Sequence, residues 1–369
     1  MRALVAAVSV LALAACSTPE PGGNAPSKAP APQGLRVEEV AGGFQHGWDL
    51  GFLEDGSVLV TERPGTLKLV RNGQVTPVDI DLTDVQARGE GGLMGLVVHP
   101  GGERFTLCYN TVRDVRLVTF RLDGTTATKV KDLLTGMPSN SSGRHSGCRP
   151  TLAPDGTMYV ATGDIAQGRN PQDRTSLGGK VLRIDAETGE GAAGNPFIGS
   201  ADANERRIFT YGHRNVQGVV FRPDSDQVFS SEHGPSTDDE VNLLKAGGNY
   251  GWDPSRGGTK GGYDESVPMT DLERFPDAVP AVWSSGSPTE AICQAAFWNG
   301  KLAVTALKGS KLLLFSLDEA GKVQNVSIPD ELNDRYGRLR AARTAPDGSL
   351  YLTTSNGTDD KLLRLTGDV

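Results

Sequence analysis

The sequence predicts an all-β fold, a six-bladed β-propeller of four-stranded antiparallel blades. A phrase made of an apolar strand, a tight turn and a second strand of β-forming residues recurs six times. The copies are spaced by roughly 45–75 residues, which suits one blade per copy. No segment has a convincing helical period. The copies are 51–63 (GFLEDGSVLVTER), 95–109 (GLVVHPGGERFTLCY), 151–164 (TLAPDGTMYVATGD), 219–234 (VVFRPDSDQVFSSEHG), 295–309 (AAFWNGKLAVTALKG) and 344–357 (TAPDGSLYLTTSNG).

The turn residues explain why each phrase forms a hairpin. Asp-Gly and Asn-Gly pairs supply the left-handed backbone angles that a two-strand reversal needs. The pairs are Asp55-Gly56, Asp155-Gly156, Asp347-Gly348 and Asn299-Gly300. Flanking runs such as 158–162 (MYVAT) are β-branched or aromatic and too short for helices. An open β-sandwich with similar hairpins is the alternative, but sandwiches rarely repeat one phrase six times.

Composition agrees with one large β domain. The 369 residues include 47 glycines and 22 prolines, which suit many turns, and 37% are hydrophobic, which suffices for a large core. The formal net charge is −8, and the sequence has no basic run and no basic patch interleaved with aromatic residues. We therefore expect no nucleic-acid partner.

The N-terminus predicts export and a lipid anchor. Residues 3–15 (ALVAAVSVLALAA) form an apolar stretch of signal-peptide length, too short to span a bilayer. The end of this stretch, LAAC, resembles the bacterial lipobox, which implies a signal peptide at 1–15 and a lipid on the Cys16 sulfur. Ordinary secretion with an incidental cysteine is the alternative.

The predicted domain order follows from this N-terminus. Residues 16–34 are rich in Pro, Gly and Ser and are expected to form a flexible tether. The propeller is then expected at 35–369, outside the cytoplasm and attached to the membrane by lipid only. This location permits disulfides among Cys108, Cys148 and Cys293. One bridge with one free thiol and three buried thiols are both compatible with the sequence.

Polar residues concentrate where propeller strands are expected to meet the central loops. His145 is a candidate general base near neutral pH, and Asp164 is a carboxylate that can fix its tautomer. Arg214, Lys308 and the Arg338/Arg340 pair would place several positive charges near the axis. Such a cluster predicts a multiply anionic ligand, although solvated cations at the rim are the alternative.

These residues lie in segments that resemble the soluble PQQ-dependent sugar (aldose/glucose) dehydrogenases, also called the glucose/sorbosone dehydrogenase family. The resemblance runs from Gly47 to Leu365, and the family fold is a six-bladed propeller. Its most specific segments are 47–70 (GWDLGFLEDGSVLVTERPGTLKLV), 89–100 (GEGGLMGLVVHP), 145–164 (HSGCRPTLAPDGTMYVATGD), 177–185 (LGGKVLRID), 211–221 (YGHRNVQGVVF) and 231–252 (SEHGPSTDDEVNLLKAGGNYGW).

The resemblance implies catalytic roles at matched positions. His145 matches the base that takes the proton of the sugar C1 hydroxyl while hydride passes to the quinone, and Asp164 matches the carboxylate that holds this histidine. Arg214 matches the guanidinium beside the quinone oxygens, where negative charge develops. Asn215 matches a hydrogen-bond partner of the cofactor.

The resemblance also implies PQQ and Ca²⁺ as cofactors. Lys308, Arg338 and Arg340 match the cations that face the PQQ carboxylates. Gly234 and Pro235 match carbonyl ligands of a Ca²⁺ that also binds PQQ, and carbonyl oxygen is a suitable ligand for this ion.

Substrate contacts are less closely matched. Glu90 lies where some family members carry a sugar-binding glutamine, and Gln172 is a further candidate on the substrate side. The loop Asp238-Asp239-Glu240 would hold a second, structural Ca²⁺ or form an exposed acidic loop. His46, His99 and His213 are expected to be core or hydrogen-bonded residues, and His233 is expected to shape the turn before Gly234.

The expected function is PQQ- and Ca²⁺-dependent oxidation of an aldose at the anomeric carbon to the lactone. The electrons would pass to an external acceptor, a quinone or a small carrier. One alternative is a Ca²⁺-dependent lactonase-type hydrolase, which six-bladed propellers also host. The other is a propeller that binds carbohydrate or protein without catalysis.

Overall fold

The computed structural model describes residues 34–255 and 262–369 and confirms the six-bladed propeller. The predicted signal peptide, Cys16 and all of the tether except Gly34 lie outside the described residues. Within the described part, no helix is long and apolar enough to cross a bilayer.

The first two blades follow an N-terminal strand, β1 (Arg36–Phe44). Blade 1 consists of β2 (Gly47–Phe52), β3 (Val58–Glu62), β4 (Thr66–Arg71) and β5 (Gln74–Pro77). Blade 2 consists of β6 (Asp79–Ile80), β7 (Leu93–Val98), β8 (Arg104–Asn110), β9 (Val115–Asp123) and β10 (Thr126–Met137). Blade 2 has the four antiparallel strands expected, β7 to β10, and the two-residue strand β6 pairs in parallel with β10 at its outer edge.

Blades 3 and 4 carry most of the candidate site. Blade 3 consists of β11 (Gly147–Leu152), β12 (Thr157–Thr162), β13 (Lys180–Asp185) and β14 (Ile208–Tyr211), with the short helix α1 (Ala203–Arg207) before its last strand. Blade 4 consists of β15 (Val216–Phe221), β16 (Val228–Glu232), β17 (Glu240–Leu243) and β18 (Trp283–Ser284).

The last two blades complete the ring. Blade 5 consists of β19 (Ile292–Trp298), β20 (Lys301–Ala306), β21 (Lys311–Leu317) and β22 (Val323–Ser327). Blade 6 consists of β23 (Leu339–Thr344), β24 (Leu350–Thr354) and β25 (Asp360–Thr366). Strand β1 pairs with β25 as the outer strand of blade 6, so the first strand that the structure describes closes the propeller against the last.

The Asp-Gly turns differ in detail from the prediction. Both residues of the Asn299-Gly300 pair have positive φ, as expected. In the Asp-Gly pairs only the glycine does, for example Gly56 with φ 78°. The Asp55 carboxylate instead accepts a hydrogen bond from the Ser57 amide at 2.9 Å, which closes the turn through the side chain.

One disulfide joins two blades. Cys108 of β8 is bonded to Cys148 of β11, and Cys293 of β19 is a buried free thiol. Of the two arrangements compatible with the sequence, the structure therefore has one bridge and one free thiol.

A buried carboxylate links the inner strands at the centre of the ring. The fully buried Asp49 of β2 forms an ion pair with Arg149 of β11 at 3.0 Å and accepts two hydrogen bonds from Arg343 of β23, at 2.9 and 3.1 Å. It also accepts a hydrogen bond from the backbone amide of Leu96 in β7 at 3.0 Å. Four of the six inner strands therefore depend on this one side chain.

Arg149 extends the network to the two remaining inner strands. Its guanidinium donates to the carbonyl of Gln217 in β15 at 2.5 Å and to Oε1 of Gln294 in β19 at 2.7 Å. It also lies 4.0 Å from the ring centre of Trp48, and Arg340 lies 5.2 Å from the same ring. This network forms the floor beneath the candidate site.

Candidate active site

The candidate base and its carboxylate lie at adjacent strand ends of blade 3. His145 precedes β11 with φ 52°, and Asp164 follows β12. Nδ1 of His145 is 2.8 Å from Oδ1 of Asp164, and both residues are buried. A carboxylate accepts the Nδ1 proton, so Nε2 carries the lone pair and can act as a base.

Close backbone packing holds this pair in place. A Cβ at Gly163 would overlap the carbonyl oxygen of His145. The Asp164 amide donates to the carbonyl of Arg214 at 2.7 Å, so the blade 3 loop is tied to blade 4. Glycine at position 163 therefore allows the close approach that brings His145 to Asp164.

Two aromatic side chains that the sequence analysis missed complete the surroundings of Asp164. Nε1 of Trp252 donates to Oδ2 at 2.8 Å, and the Tyr263 hydroxyl donates to the same oxygen at 2.7 Å. Burial and the charge of Asp164 raise the pKa of Tyr263 strongly, so it remains protonated as a donor. Trp252 ends the quoted segment 231–252, but no sequence signal pointed to Tyr263.

Arg214 takes part in a charged bridge that was also missed. Its Nη1 donates to the His233 carbonyl at 3.0 Å, and its Nη2 pairs with Oε1 of Glu265 at 2.6 Å. The other oxygen of Glu265 pairs with Arg144, the residue before His145. Burial alone would raise the pKa of Glu265, but Arg214 and Arg144 lower it. The carboxylate is therefore ionised between two cations.

Glu90 links blade 3 to blade 4 through two hydrogen bonds. Its Oε2 accepts a hydrogen bond from the backbone amide of His145 at 3.1 Å and one from Nδ2 of Asn215 at 3.4 Å. The structure thus brings Glu90, Asn215 and His145 together, three residues that the sequence analysis selected separately.

A cavity of about 170 Å³ opens beside these residues. Its lining includes Glu90 and the two residues that follow His145, together with residues from the other blades: Trp48, Met94, Gln217, His233, Ala291, Leu307, Arg338 and Arg340. The cavity therefore collects side chains from all around the axis, as the propeller fold predicts.

Several buried nitrogen atoms near this cavity have no hydrogen-bond partner. Among the described residues they are Nε1 of Trp48, Nε2 of His233 and Nε of Arg340 in the lining, and Nε of the neighbouring Arg214. Burial and the charges of Arg214 and Arg340 lower the pKa of His233 well below its usual value. The cavity lining therefore contains several nitrogen atoms without hydrogen-bond partners, and the imidazole of His233 among them is neutral.

The other predicted cations lie in the cavity lining or directly beside it. Arg340 is largely buried and Arg338 is exposed, and both line the cavity. Lys308 is exposed and directly follows Leu307, which also lines the cavity.

The loop that contains the predicted Ca²⁺ ligands Gly234 and Pro235 is held in place by the carboxylate of Asp239. Its Oδ1 accepts from the Gly234 amide at 2.9 Å, and its Oδ2 accepts from the Glu290 amide at 2.7 Å. Asp239 and Glu240 are buried, so the description as an exposed acidic loop is wrong for them. Within 34–255 and 262–369, no group of three or more His, Cys, Asp or Glu side chains could hold a metal ion. A metal beside Gly234 and Pro235 would need carbonyl ligands.

Gln172 makes contacts within the protein. Its amide exchanges hydrogen bonds of 2.9 and 3.0 Å with the Asn249 amide and donates to the carbonyl of Trp252 at 3.0 Å. These contacts support the tryptophan that holds Asp164. A substrate contact at Gln172 stays a prediction.

His99 and His213 are hydrogen-bonded core residues, as expected. Nε2 of His99 lies 2.8 Å from the Thr106 hydroxyl, and Nδ1 of His213 lies 2.8 Å from Glu232. Both histidines are buried, and His46 is half-buried.

Sequence comparison identifies the family of this chain. A profile of the family described as Glucose / Sorbosone dehydrogenase matches residues 44–364. Aldose sugar dehydrogenase YliI of Escherichia coli (strain K12) is 31% identical, with 90% of this chain and 93% of the relative covered.

Two solved structures extend the similarity to three dimensions. The PQQ-bound form of aldose sugar dehydrogenase from Streptomyces coelicolor has 30% identity and a TM-score of 0.77, covering 92% of this chain and all of that one (100%). The apo-form of the soluble aldose sugar dehydrogenase from Escherichia coli has 29% identity and a TM-score of 0.78, with 90% and 100% covered. The chain belongs to the glucose/sorbosone dehydrogenase family.

Proposed function

We propose that this protein oxidises an aldose at its anomeric carbon to the lactone, with PQQ and Ca²⁺ in the central cavity. The electrons leave for an external acceptor, a quinone or a small carrier. The family assignment and the similarity to aldose sugar dehydrogenases support a sugar dehydrogenase. The observation that carries the proposal is the oriented imidazole of His145 beside a cavity lined with unpaired nitrogens.

The donors around the cavity fit PQQ, a planar tricarboxylate. A buried polar group without a partner costs free energy, and an anion rich in oxygen supplies the missing acceptors. Trp48 and Arg340 each have an unpaired N–H donor in the cavity lining. The neighbouring Arg214 has a third unpaired N–H donor at its Nε. Arg338, Arg340 and Lys308 are the cations proposed to bind the carboxylates, because a guanidinium or ammonium pairs strongly with carboxylate.

The chain's own residues account for the proton transfer. Nε2 of His145 accepts the proton of the anomeric hydroxyl, while Asp164 holds the ring by accepting from Nδ1. Trp252 and Tyr263 fix the second oxygen of Asp164, so the ring cannot turn away easily. Arg214 supplies positive charge next to the site where negative charge develops on reduction.

The cofactors supply the redox chemistry. When bound, PQQ provides a quinone that accepts the hydride, and Ca²⁺ polarises the quinone as a Lewis acid. The carbonyl oxygens of Gly234 and Pro235 are the proposed protein ligands of Ca²⁺, a choice that suits a cation preferring oxygen ligands.

The test is a titration of the purified full-length apoprotein with PQQ and Ca²⁺, followed by glucose and an artificial dye. We expect a stoichiometric shift of the quinone absorbance and dye reduction with at least one aldose. Arg340→Gln should weaken PQQ binding by about tenfold or more, since it removes a charge-assisted contact. Arg36→Gln is the matched control, because Arg36 is exposed on β1.

Two outcomes would overturn the proposal. One is the absence of both cofactor binding and dye reduction across a broad panel of sugars. The other is hydrolysis of lactones with Ca²⁺ alone, unaffected by PQQ, which would support the hydrolase alternative.

We further propose that the enzyme is a lipoprotein held outside the cytoplasm by Cys16. The support is the apolar stretch 3–15 and the LAAC sequence that ends it. In a bacterial expression host, Cys16→Ser should move the protein from the membrane fraction to the soluble fraction. An unchanged distribution would argue against the anchor.

A further inference from the structure

A second cavity, of about 400 Å³, lies beside the catalytic loops of blades 2 and 3. We call it the side groove, and its lining comes from the segments 86–88, 110–113 and 139–143. Its volume is within the range of small-molecule sites.

The side groove is built on the loops that hold the candidate base. A Cβ at Gly143 would overlap the carbonyl oxygen of Arg88, so the two segments pack directly against each other. Gly143 precedes His145 by two residues, and Arg88 precedes Glu90, whose carboxylate accepts from the His145 amide. The groove is therefore lined by the same two chain segments that carry Glu90 and His145.

Part of the lining is used by the protein's own fold. Oδ1 of Asn110 accepts from the Gly92 amide at 3.2 Å, and Nδ2 of Asn140 donates to the Ile165 carbonyl at 2.7 Å. The Thr111 hydroxyl pairs with Asp114 at 2.8 Å. These bonds give the groove a frame that does not depend on a ligand.

The rest of the lining is unpaired. Arg88 and Arg113 are solvent-exposed, and within 34–255 and 262–369 their guanidinium groups have no ion-pair or hydrogen-bond partner from the protein. The same holds for the side chains of Gln86, Ser139 and Ser141. Two unneutralised guanidinium groups in one concave surface favour an anion, because each pairs with a carboxylate or sulfate through two parallel bonds. Amide and hydroxyl groups around them are suited to sugar hydroxyls.

We propose that the side groove binds a negatively charged sugar unit, with a carboxylate or sulfate, next to the unit being oxidised. This inference rests on the proposed function, because it makes an acidic oligosaccharide the preferred substrate class. A protein partner is a poorer fit, since stable protein interfaces cover about 800 Å² on each side and this groove is a small concavity.

The first experiment compares substrates on the PQQ- and Ca²⁺-loaded full-length enzyme. The substrates are cellobiose and a disaccharide with glucuronic acid at the non-reducing end and glucose at the reducing end. We expect kcat/KM for the acidic disaccharide to exceed that for cellobiose by about tenfold. Arg88→Gln combined with Arg113→Gln should remove this preference and leave glucose oxidation within about twofold. Arg36→Gln should change neither.

The second experiment separates this proposal from the proposed function. Methyl glucuronide has no free anomeric hydroxyl and cannot be oxidised there, so its binding to the full chain, measured by calorimetry, does not require turnover. We expect it to bind more tightly than methyl glucoside, and the double variant to lose the difference. If the protein bound methyl glucuronide in the side groove but oxidised no aldose, the proposed dehydrogenase function would be overturned and the side-groove site would stand. Equal binding of both glycosides, or equal kcat/KM ratios in wild type and double variant, would overturn the side-groove site.

Discussion

His145→Gln is expected to lower kcat for aldose oxidation by about 10³-fold, the usual contribution of a general base. PQQ affinity should change little, because the unpaired nitrogens of the cavity belong to Trp48, His233, Arg340 and Arg214. The measurement pairs steady-state dye reduction with a PQQ titration of the same sample.

The matched control is His99→Gln. His99 is buried in blade 2 and its Nε2 contacts the Thr106 hydroxyl, so the variant tests the loss of a buried imidazole outside the proposed site. A kcat that survives in His145→Gln, with the thermal midpoint unchanged, would remove His145 from the chemistry. Loss of PQQ binding in that variant would instead place the ring in the cofactor site.

The sequence could predict the ring because six similar strand-turn-strand phrases recur, four of them with an Asp-Gly or Asn-Gly turn. Each Asp-Gly or Asn-Gly pair is local, and local signals survive in the fold. Strand β6 (Asp79–Ile80) was not foreseen, because two residues carry no pattern and their pairing partner β10 begins 46 residues later. The outer strand of blade 4, Trp283–Ser284, begins 40 residues after β17 ends and is equally short.

The site could be predicted only in part, for a similar reason. His145, Asp164, Arg214 and Glu90 occur in specific segments near strand ends, and the structure brings them together. Tyr263 reaches Asp164 across 99 positions of sequence.

Glu265 shows the same limit. It reaches Arg144 across 121 positions and Arg214 across 51. Contacts of this kind arise from how an irregular connection crosses the face of the propeller, and neither spacing nor periodicity encodes that path.

Asp49→Asn is expected to lower the free energy of unfolding by about 3–5 kcal/mol, the cost of leaving a buried cation without its partner. Burial would raise the pKa of Asp49, but Arg343 and Arg149 lower it, so the native carboxylate is ionised. The substitution leaves the fully buried Arg149 beside a neutral amide. The thermal midpoint should fall by about 5–10 °C, measured by circular dichroism at neutral pH.

The pH dependence has a definite sign. Because the folded pKa of Asp49 is below its ordinary value of 3.8, its stabilisation is present above that value and is lost as the pH falls through the folded pKa. The difference in the free energy of unfolding between wild type and Asp49→Asn should therefore be largest near neutral pH and should become smaller in strong acid. Asp55→Asn is the control, since Asp55 pairs with Arg71 on the surface and should cost at most about 1 kcal/mol. If Asp49→Asn and Asp55→Asn lowered the free energy of unfolding by the same small amount, the inner strands would be held together by apolar packing between blades. The ion network around Asp49 would then contribute little to stability.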